Sequence, residues 1–323
     1  MYLKIGERPG LILCLCTMYS LWKKPKGIMR KICLWASASV LFMVAASCEK
    51  VDEVAGCQFP SKENMKLLWS DEFDGDMIKT QYWGFDTADG CQLDTVTGNL
   101  CGWGNNELQY YTVRDENARV EDGKLIITAR KEIPFYQGKQ YTSARMVTKN
   151  KVDFTYGRVD VRAKIPRGQG LWPAIWMLPT DTIYGGWPAS GEIDIMENIG
   201  SKTEEILGTI HYGHDFWRFN SQYFLDTIPA SISESGDPEP VDFADDFHTY
   251  SVIWTADCIL FQVDGKDIGV PNTRSTVLPT TWPFDQDFHL ILNIAVGGNL
   301  PGDPTAATQF PQTMEVDYVR VYQ

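Results

Sequence analysis

Positive charge is scarce in this 323-residue chain: 29 Lys and Arg stand against 42 Asp and Glu, for a net charge of −13. A phosphate backbone is held by clustered Lys and Arg, so nucleic acid is excluded as a partner. Histidine is scarcer still, with four residues, and no Cys-x-x-Cys or Cys/His spacing suggests zinc. Long apolar runs are missing too. The 16-residue stretch of apolar and small residues from Ile32 to Ser47 is too short for a comfortable membrane span. No dozen residues keep a 3.6-residue period, there is no internal repeat, and no low-complexity linker lies beyond residues 49–63. What the chain does have is aromatic surface: 11 Trp, 14 Tyr and 15 Phe in a composition that is 44% hydrophobic. That suits stacking on an uncharged ligand.

The short apolar run has a different use. In "MRKICLWASASVLFMVAASC" (29–48), Arg30 and Lys31 precede it and Cys48 ends it, the order of a signal peptide. "AASC" resembles a bacterial lipobox, with Ala45 where Leu is usual and Cys48 as the lipidated residue. Acyl chains there would anchor the protein to a membrane without spanning it; ordinary secretion is the alternative. Residues 1–28 carry a second small apolar run, "LILCLC", and Met29 is read as the start. The expected division is a leader over 1–48, an acidic tether over 49–63 and one domain over 64–323. The expected location is the outer membrane or cell surface, otherwise the periplasm or the medium. Cys91 and Cys101 bracket a polar, Gly-containing loop and are the expected disulfide, with two free buried thiols as the alternative.

From Met65 onward the sequence reads as β. "KLIITAR" (124–130), "YGRVDVRAKI" (156–165), "HTYSVIWT" (248–255), "FHLILNIAVGG" (288–298) and "MEVDYVRVY" (314–322) are strand-like, and "DGK" (264–266) is a hairpin signal. One antiparallel sandwich of two sheets accommodates them. Its curved outer face could bed an extended sugar chain, pyranose faces on indoles and hydroxyls on polar side chains. "GLWPAIWMLP" (170–179) and "GGWPASGE" (185–192) set Trp172, Trp176 and Trp187 close to an acidic strand, although core packing accounts for many a tryptophan.

That strand is "GEIDIMEN" (191–198). Alternation puts Glu192 and Asp194 on one face and Glu197 on the other. A bulge near Ile195–Met196 would exchange the faces and return Glu197 to its partners. The two glutamates would then lie about 13 Å apart at Cα, with side chains each able to close about 4 Å of it. Carboxylates about 5 Å apart are spaced for hydrolysis with retention at the anomeric carbon. Crowded acids also push one another's pKa up, so a proton held at Glu197 suits a general acid, ionised Glu192 a nucleophile, and Asp194 their aide. A solvated acidic strand or a calcium site is the competing reading.

These stretches, with "WSDEF" (69–73), "GWGNNELQYYT" (102–112), "YTSARMVTK" (141–149), "GTIHYG" (208–213), "LNIAVGGNLPG" (292–302) and "VDYVRVY" (316–322), resemble glycoside hydrolase family 16, in its laminarinase-like endo-β-1,3-glucanase branch. The resemblance implies an all-β jelly-roll sandwich of two curved antiparallel sheets with a substrate groove on the concave face. It implies a retaining double displacement with Glu192 as nucleophile, Asp194 as its helper and Glu197 as acid/base, and no cofactor for catalysis. It also implies that Asn105, Arg145, Trp172, Trp176 and His211 line the sugar subsites, and a structural calcium with Glu72 and Asp317 as candidate ligands. Arg145 as a salt-bridge partner and His211 as a structural residue are the plainer readings. The segment 214–247 offers Trp217, Phe219, Tyr223 and Phe224 to the groove. The expected substrate is a β-1,3-glucan, with mixed-linkage glucan or β-galactosidic host glycans as alternatives and a non-catalytic glycan-binding protein as the rival class. A monomer is expected.

Overall fold

The computed structural model describes residues 52–54, 57–91, 101–213, 219–226, 229–232, 238–277 and 281–323, and the backbone alone for 52–54, 219–226, 229–232 and 238–240. Cys48 and Trp217 lie outside the described residues, as does the leader.

Two sheets face each other. The first holds Gly84–Asp86 (β1), Arg145–Val147 (β2), Asp153–Phe154 (β3), Leu171–Pro179 (β4), Glu192–Glu197 (β5), Ile206–Gly213 (β6), Phe219–Asp226 (β7) and Phe288–Val296 (β8). Its order is β7-β6-β5-β4-β8-β2-β1, with β3 also on β8, and every pair is antiparallel. The second sheet has ten strands, among them Gly157–Lys164, His248–Trp254, Cys258–Val263 and Gln312–Tyr322. One of its pairs, Gln109–Tyr111 with Lys139–Ser143, is parallel.

Period-two alternation fills the space between the sheets. Ile175, Met177, Ile193, Ile210, Leu290 and Leu292 come from the first sheet; Val159, Val161, Val252, Phe261, Val316 and Val319 come from the second, all in one buried cluster. On the strand at 157–164, alternation turns Val159, Val161 and Ala163 into that core. Asp160, on the opposite face, is fully buried as well, bonded to Lys62 (2.6 Å), Arg158 (2.6 Å) and Ser251 (2.7 Å). The hairpin at 264–266 forms, with Asp264 and Gly265 at φ 50° and 75° and Val263 opposite Lys266. Among the described residues the one α-helix is the single turn Arg274–Val277, and none is long and apolar enough to cross a membrane.

β8 is buried along all nine residues. Its inward face is apolar, and on its outward face His289, Asn293 and Ala295 are buried too. β4 pairs with it through Pro173 opposite Ile294, a central-strand proline that propensity alone would disfavour. Cys91–Cys101 is a disulfide, as expected. A second, Cys57–Cys258, joins residues 201 apart in sequence and was not anticipated.

Candidate active site

β5 carries the irregularity that the acid spacing requires. Asp194 pairs with Thr209 and Glu197 with Leu207, so Ile195 and Met196 together oppose Gly208. On the other side Trp176 faces Asp194 and Ile175 faces Met196, again leaving Ile195 as the extra residue. Both Ile195 and Met196 are fully buried, and Glu197 returns to the face of Glu192 and Asp194. Opposite this pair, Gly208 leaves room for an aromatic ring of the second sheet. A Cβ there would stand 2.8 Å from the Phe261 ring, which takes the space that a side chain at 208 would need.

Each glutamate is held by an indole. Trp187 Nε1 donates to Glu192 Oε2 at 2.9 Å and Trp172 Nε1 to Glu197 Oε1 at 3.0 Å. Trp172 and Trp187, for which the sequence offers sugar stacking or core packing, thus bond to the acids. His211, opposite Glu192 on β6, brings Nε2 to 3.2 Å from Asp194 Oδ2 and 3.6 Å from Glu192 Oε1. Those three side chains offer ligand atoms within 4.8 Å of one another, a set that could take a divalent ion in the place the anomeric carbon must reach.

The sequence places the shared proton on Glu197; the structure raises all three acids. Burial, then the charge of Asp194, pushes Glu192 up to about 8, against the pull of His211 and the Trp187 N–H. Burial, then Glu197, raises Asp194 well above the ordinary carboxylate range. Burial raises Glu197, with His211 and the Trp172 N–H opposing. The three carboxyls therefore raise one another, and the protonation of each depends on its neighbours. Glu192 keeps 15% of its side chain exposed against 4% for Asp194 and has a donor at 2.9 Å, so of these two it is the one whose ionised form is better supported.

The other sugar-site candidates lie beside the acids. Trp176, half-buried on β4, donates from Nε1 to Asn293 Oδ1 at 2.7 Å. Arg145 on β2 has its guanidinium 4.7 Å from the Trp176 ring and 4.5 Å from the Trp103 ring, and pairs with Asp86 at 3.1 Å. Both of its expected roles, site residue and ion-pair partner, meet in one side chain. Asn105 sits in a turn, residues 102–106, that passes through four positive φ values, Gly102 at 72°, Trp103 at 57°, Gly104 at 83° and Asn106 at 60°. Asn299 N donates to Asn105 O at 2.8 Å, tying that turn to the loop after β8, where Gly298 lies against Trp172. Glu107, Tyr111, Asn293 and Trp103 complete the cleft floor and were not singled out from sequence; the stretch "GWGNNELQYYT" held three of them in plain view.

Glu72 and Asp317 do not fit calcium as they stand. Arg320 donates to Glu72 at 2.8 and 3.0 Å and Arg162 to Asp317 at 2.7 Å, so each carboxylate already has its cation. Among the described residues neither joins a group of three metal-ligating side chains.

Comparison with known proteins agrees with this geometry. Residues 105–320 match the family model of Glycosyl hydrolases family 16. Glucan endo-1,3-beta-glucosidase A1 of Niallia circulans is 44% identical over 82% of this chain and 39% of its own length. Beta-glucanase of Rhodothermus marinus is 41% identical over 96% of this chain and 99% of its own. The laminarinase catalytic domain of Thermotoga maritima superposes with a TM-score of 0.69 at 41% identity, over 80% of this chain and 98% of that one. Two glutamates brought to one face by a bulge, on a sandwich shared with these proteins, make the chain a member of glycoside hydrolase family 16.

Proposed function

We propose that this protein is a retaining endo-β-1,3-glucanase acting on laminarin-type glucan. The observation that carries the reading is the bulge at Ile195, which sets Glu192 and Glu197 on one face, each with its own indole donor. Glu192 attacks the anomeric carbon while Glu197 passes its proton to the departing glycosidic oxygen. Glu197, now a carboxylate, takes a proton from water, and that water opens the glycosyl–Glu192 ester with net retention. Asp194, between them and nearly sealed from solvent, moderates the charge of the pair through His211 and its own shared proton.

The reading is supported by proteins that match 80%, 82% and 96% of this chain and are named laminarinase, glucan endo-1,3-beta-glucosidase and beta-glucanase; of the second, this chain spans 39%. Incubating the protein with laminarin should release oligosaccharides of several lengths, first in the β-anomeric form by proton NMR. Glu192→Ala should bind laminarin and release nothing; normal turnover by that variant would reject the assignment.

The same reading places the enzyme outside the cytoplasm, on a lipid attached to Cys48. The signal-peptide order of residues 29–48 and two disulfides support export. A Cys48→Ser variant should leave the membrane fraction on cell fractionation; unchanged retention there would contradict the anchor.

A further inference from the structure

Beneath the cleft lies a buried carboxylate that no step of the hydrolysis uses. Glu107 is 7% exposed. Its Oε2 accepts from Gln109 Nε2 at 2.6 Å and from Tyr111 OH at 3.2 Å, and its Oε1 from Asn105 Nδ2 at 3.4 Å. The Tyr111 oxygen in turn accepts from Asn293 Nδ2 at 3.1 Å, and Asn293 Oδ1 accepts from Trp176 Nε1 at 2.7 Å. The Gln109 carbonyl is occupied as well, by the backbone N–H of Val296 at 2.8 Å.

This chain of bonds runs in one direction only. An indole nitrogen donates and never accepts, so Asn293 must turn its oxygen to Trp176 and its amide nitrogen to Tyr111. The phenol, having accepted, donates onward. The last group must accept, and a carboxylate with three donors on two oxygens does so. Glu107 thereby sets the amide of Asn293, the hydroxyl of Tyr111 and, by its second oxygen, the amide of Asn105. The N–H bond fixes the Trp176 ring in its plane, while Arg145 stacked at 4.7 Å fixes its tilt.

We propose that Glu107 is the positioning residue of the glucan cleft, aligning Trp176 through Tyr111 and Asn293 and aligning Asn105 directly. One buried group beside the cleft floor would then govern two sugar-binding side chains on separate elements. The inference rests on the reading that Trp176 and Asn105 line the sugar subsites. A misaligned platform weakens binding in ground and transition states alike, so KM should rise while kcat holds.

The test is steady-state kinetics on laminari-oligosaccharides with Glu107→Gln, Tyr111→Phe, Trp176→Phe and the double variant Tyr111→Phe/Trp176→Phe, each checked for folding by thermal melt. Tyr111→Phe should raise KM by about tenfold with kcat within about threefold of the parent, and Glu107→Gln, which disturbs both branches, by more. Phe lacks the indole N–H, so the double variant should have the KM of Trp176→Phe alone. A wild-type KM in Glu107→Gln or Tyr111→Phe overturns the inference, as do losses that multiply in the double variant. If Glu107→Gln does not fold, Tyr111→Phe, which removes a single hydroxyl, carries the test. A parent enzyme that releases nothing from laminarin, or a Trp176→Phe variant with unchanged KM, fails the underlying reading instead, and the two failures are told apart.

Discussion

The tryptophan that donates to Glu192 does more for the chemistry than its partly exposed ring suggests. Its N–H favours the ionised carboxylate at 2.9 Å, so Trp187→Phe should raise the Glu192 pKa and move the acid limb of the kcat/KM profile to higher pH. An unmoved limb would deny the indole that role. Glu197→Gln should cut kcat/KM on laminarin by about 10²–10⁴-fold, the usual worth of a positioned general acid. Glu192 also links activity to stability. Its pKa rises on folding from 4.5 to about 8, so the native state holds a proton that the unfolded chain has released, and stability falls as pH climbs through that window. Glu192→Gln removes that residue's share of the slope. Its melting temperature should match the parent's near pH 4 and exceed it by roughly 5 °C at pH 8 in calorimetry; a gap that stays constant with pH would contradict the raised pKa. At this scale the sequence was a good guide to the acids, since charge on an apolar strand has few explanations. It was a poor guide to Glu107, Tyr111 and Asn293, whose meaning lies in bonds between strands far apart in the chain.

The bulge is the element on which the site turns, and its two sides can be probed separately. Gly208→Ala puts a methyl into the Phe261 ring at 2.8 Å, an overpacking that should cost about 1–3 kcal/mol in denaturant unfolding and lower activity by shifting β5. Deleting Ile195 is the informative opposite. It leaves Glu-x-Asp-x-Glu on a regular strand, and alternation alone then keeps all three acids on one face. The folded deletion variant should retain measurable hydrolysis where Glu192→Ala has none, despite roughly 2–5 kcal/mol of stability lost with the buried side chain. A folded but inert variant would mean that the bulge does more than restore the face. The bulge was legible because two polar periods disagreed across one apolar pair. β4 was harder: Pro173 and Pro179 are poor strand formers, and only pairing with β8 and β5 makes the segment a central strand. The pairing of Glu72 with Arg320 and of Asp317 with Arg162 was equally hidden, since each joins residues far apart in the chain.

Across the whole molecule, the sandwich follows from alternation in strands that each have one apolar face, and this much the sequence made plain. The long-range staple it did not. Cys57–Cys258 pins the first described strands to the second sheet, where Phe59, Ile253 and Leu260 pack around it. Closing a loop of 201 residues restricts the unfolded chain, so Cys57→Ser/Cys258→Ser should lose about 2–5 kcal/mol in reversible unfolding with kcat nearly unchanged. An equal loss of activity in the folded variant would place the staple in the function of the cleft. Net negative charge fits the same picture: a neutral glucan needs no counter-charge, and hydrolysis should show little dependence on salt. Sodium chloride titration of kcat/KM reads this, and a steep fall would point to a charged substrate.

The central claim is that a backbone irregularity gives Glu192 a direct line to an anomeric carbon beside Glu197. It is read most directly by trapping the enzyme with a 2-deoxy-2-fluoro laminaribioside bearing an activated leaving group, followed by peptide mass spectrometry. The account predicts one sugar adduct, on the peptide that carries Glu192 and at that residue. An adduct at Glu197, or steady turnover of the reagent with inverted product and no adduct, would contradict it.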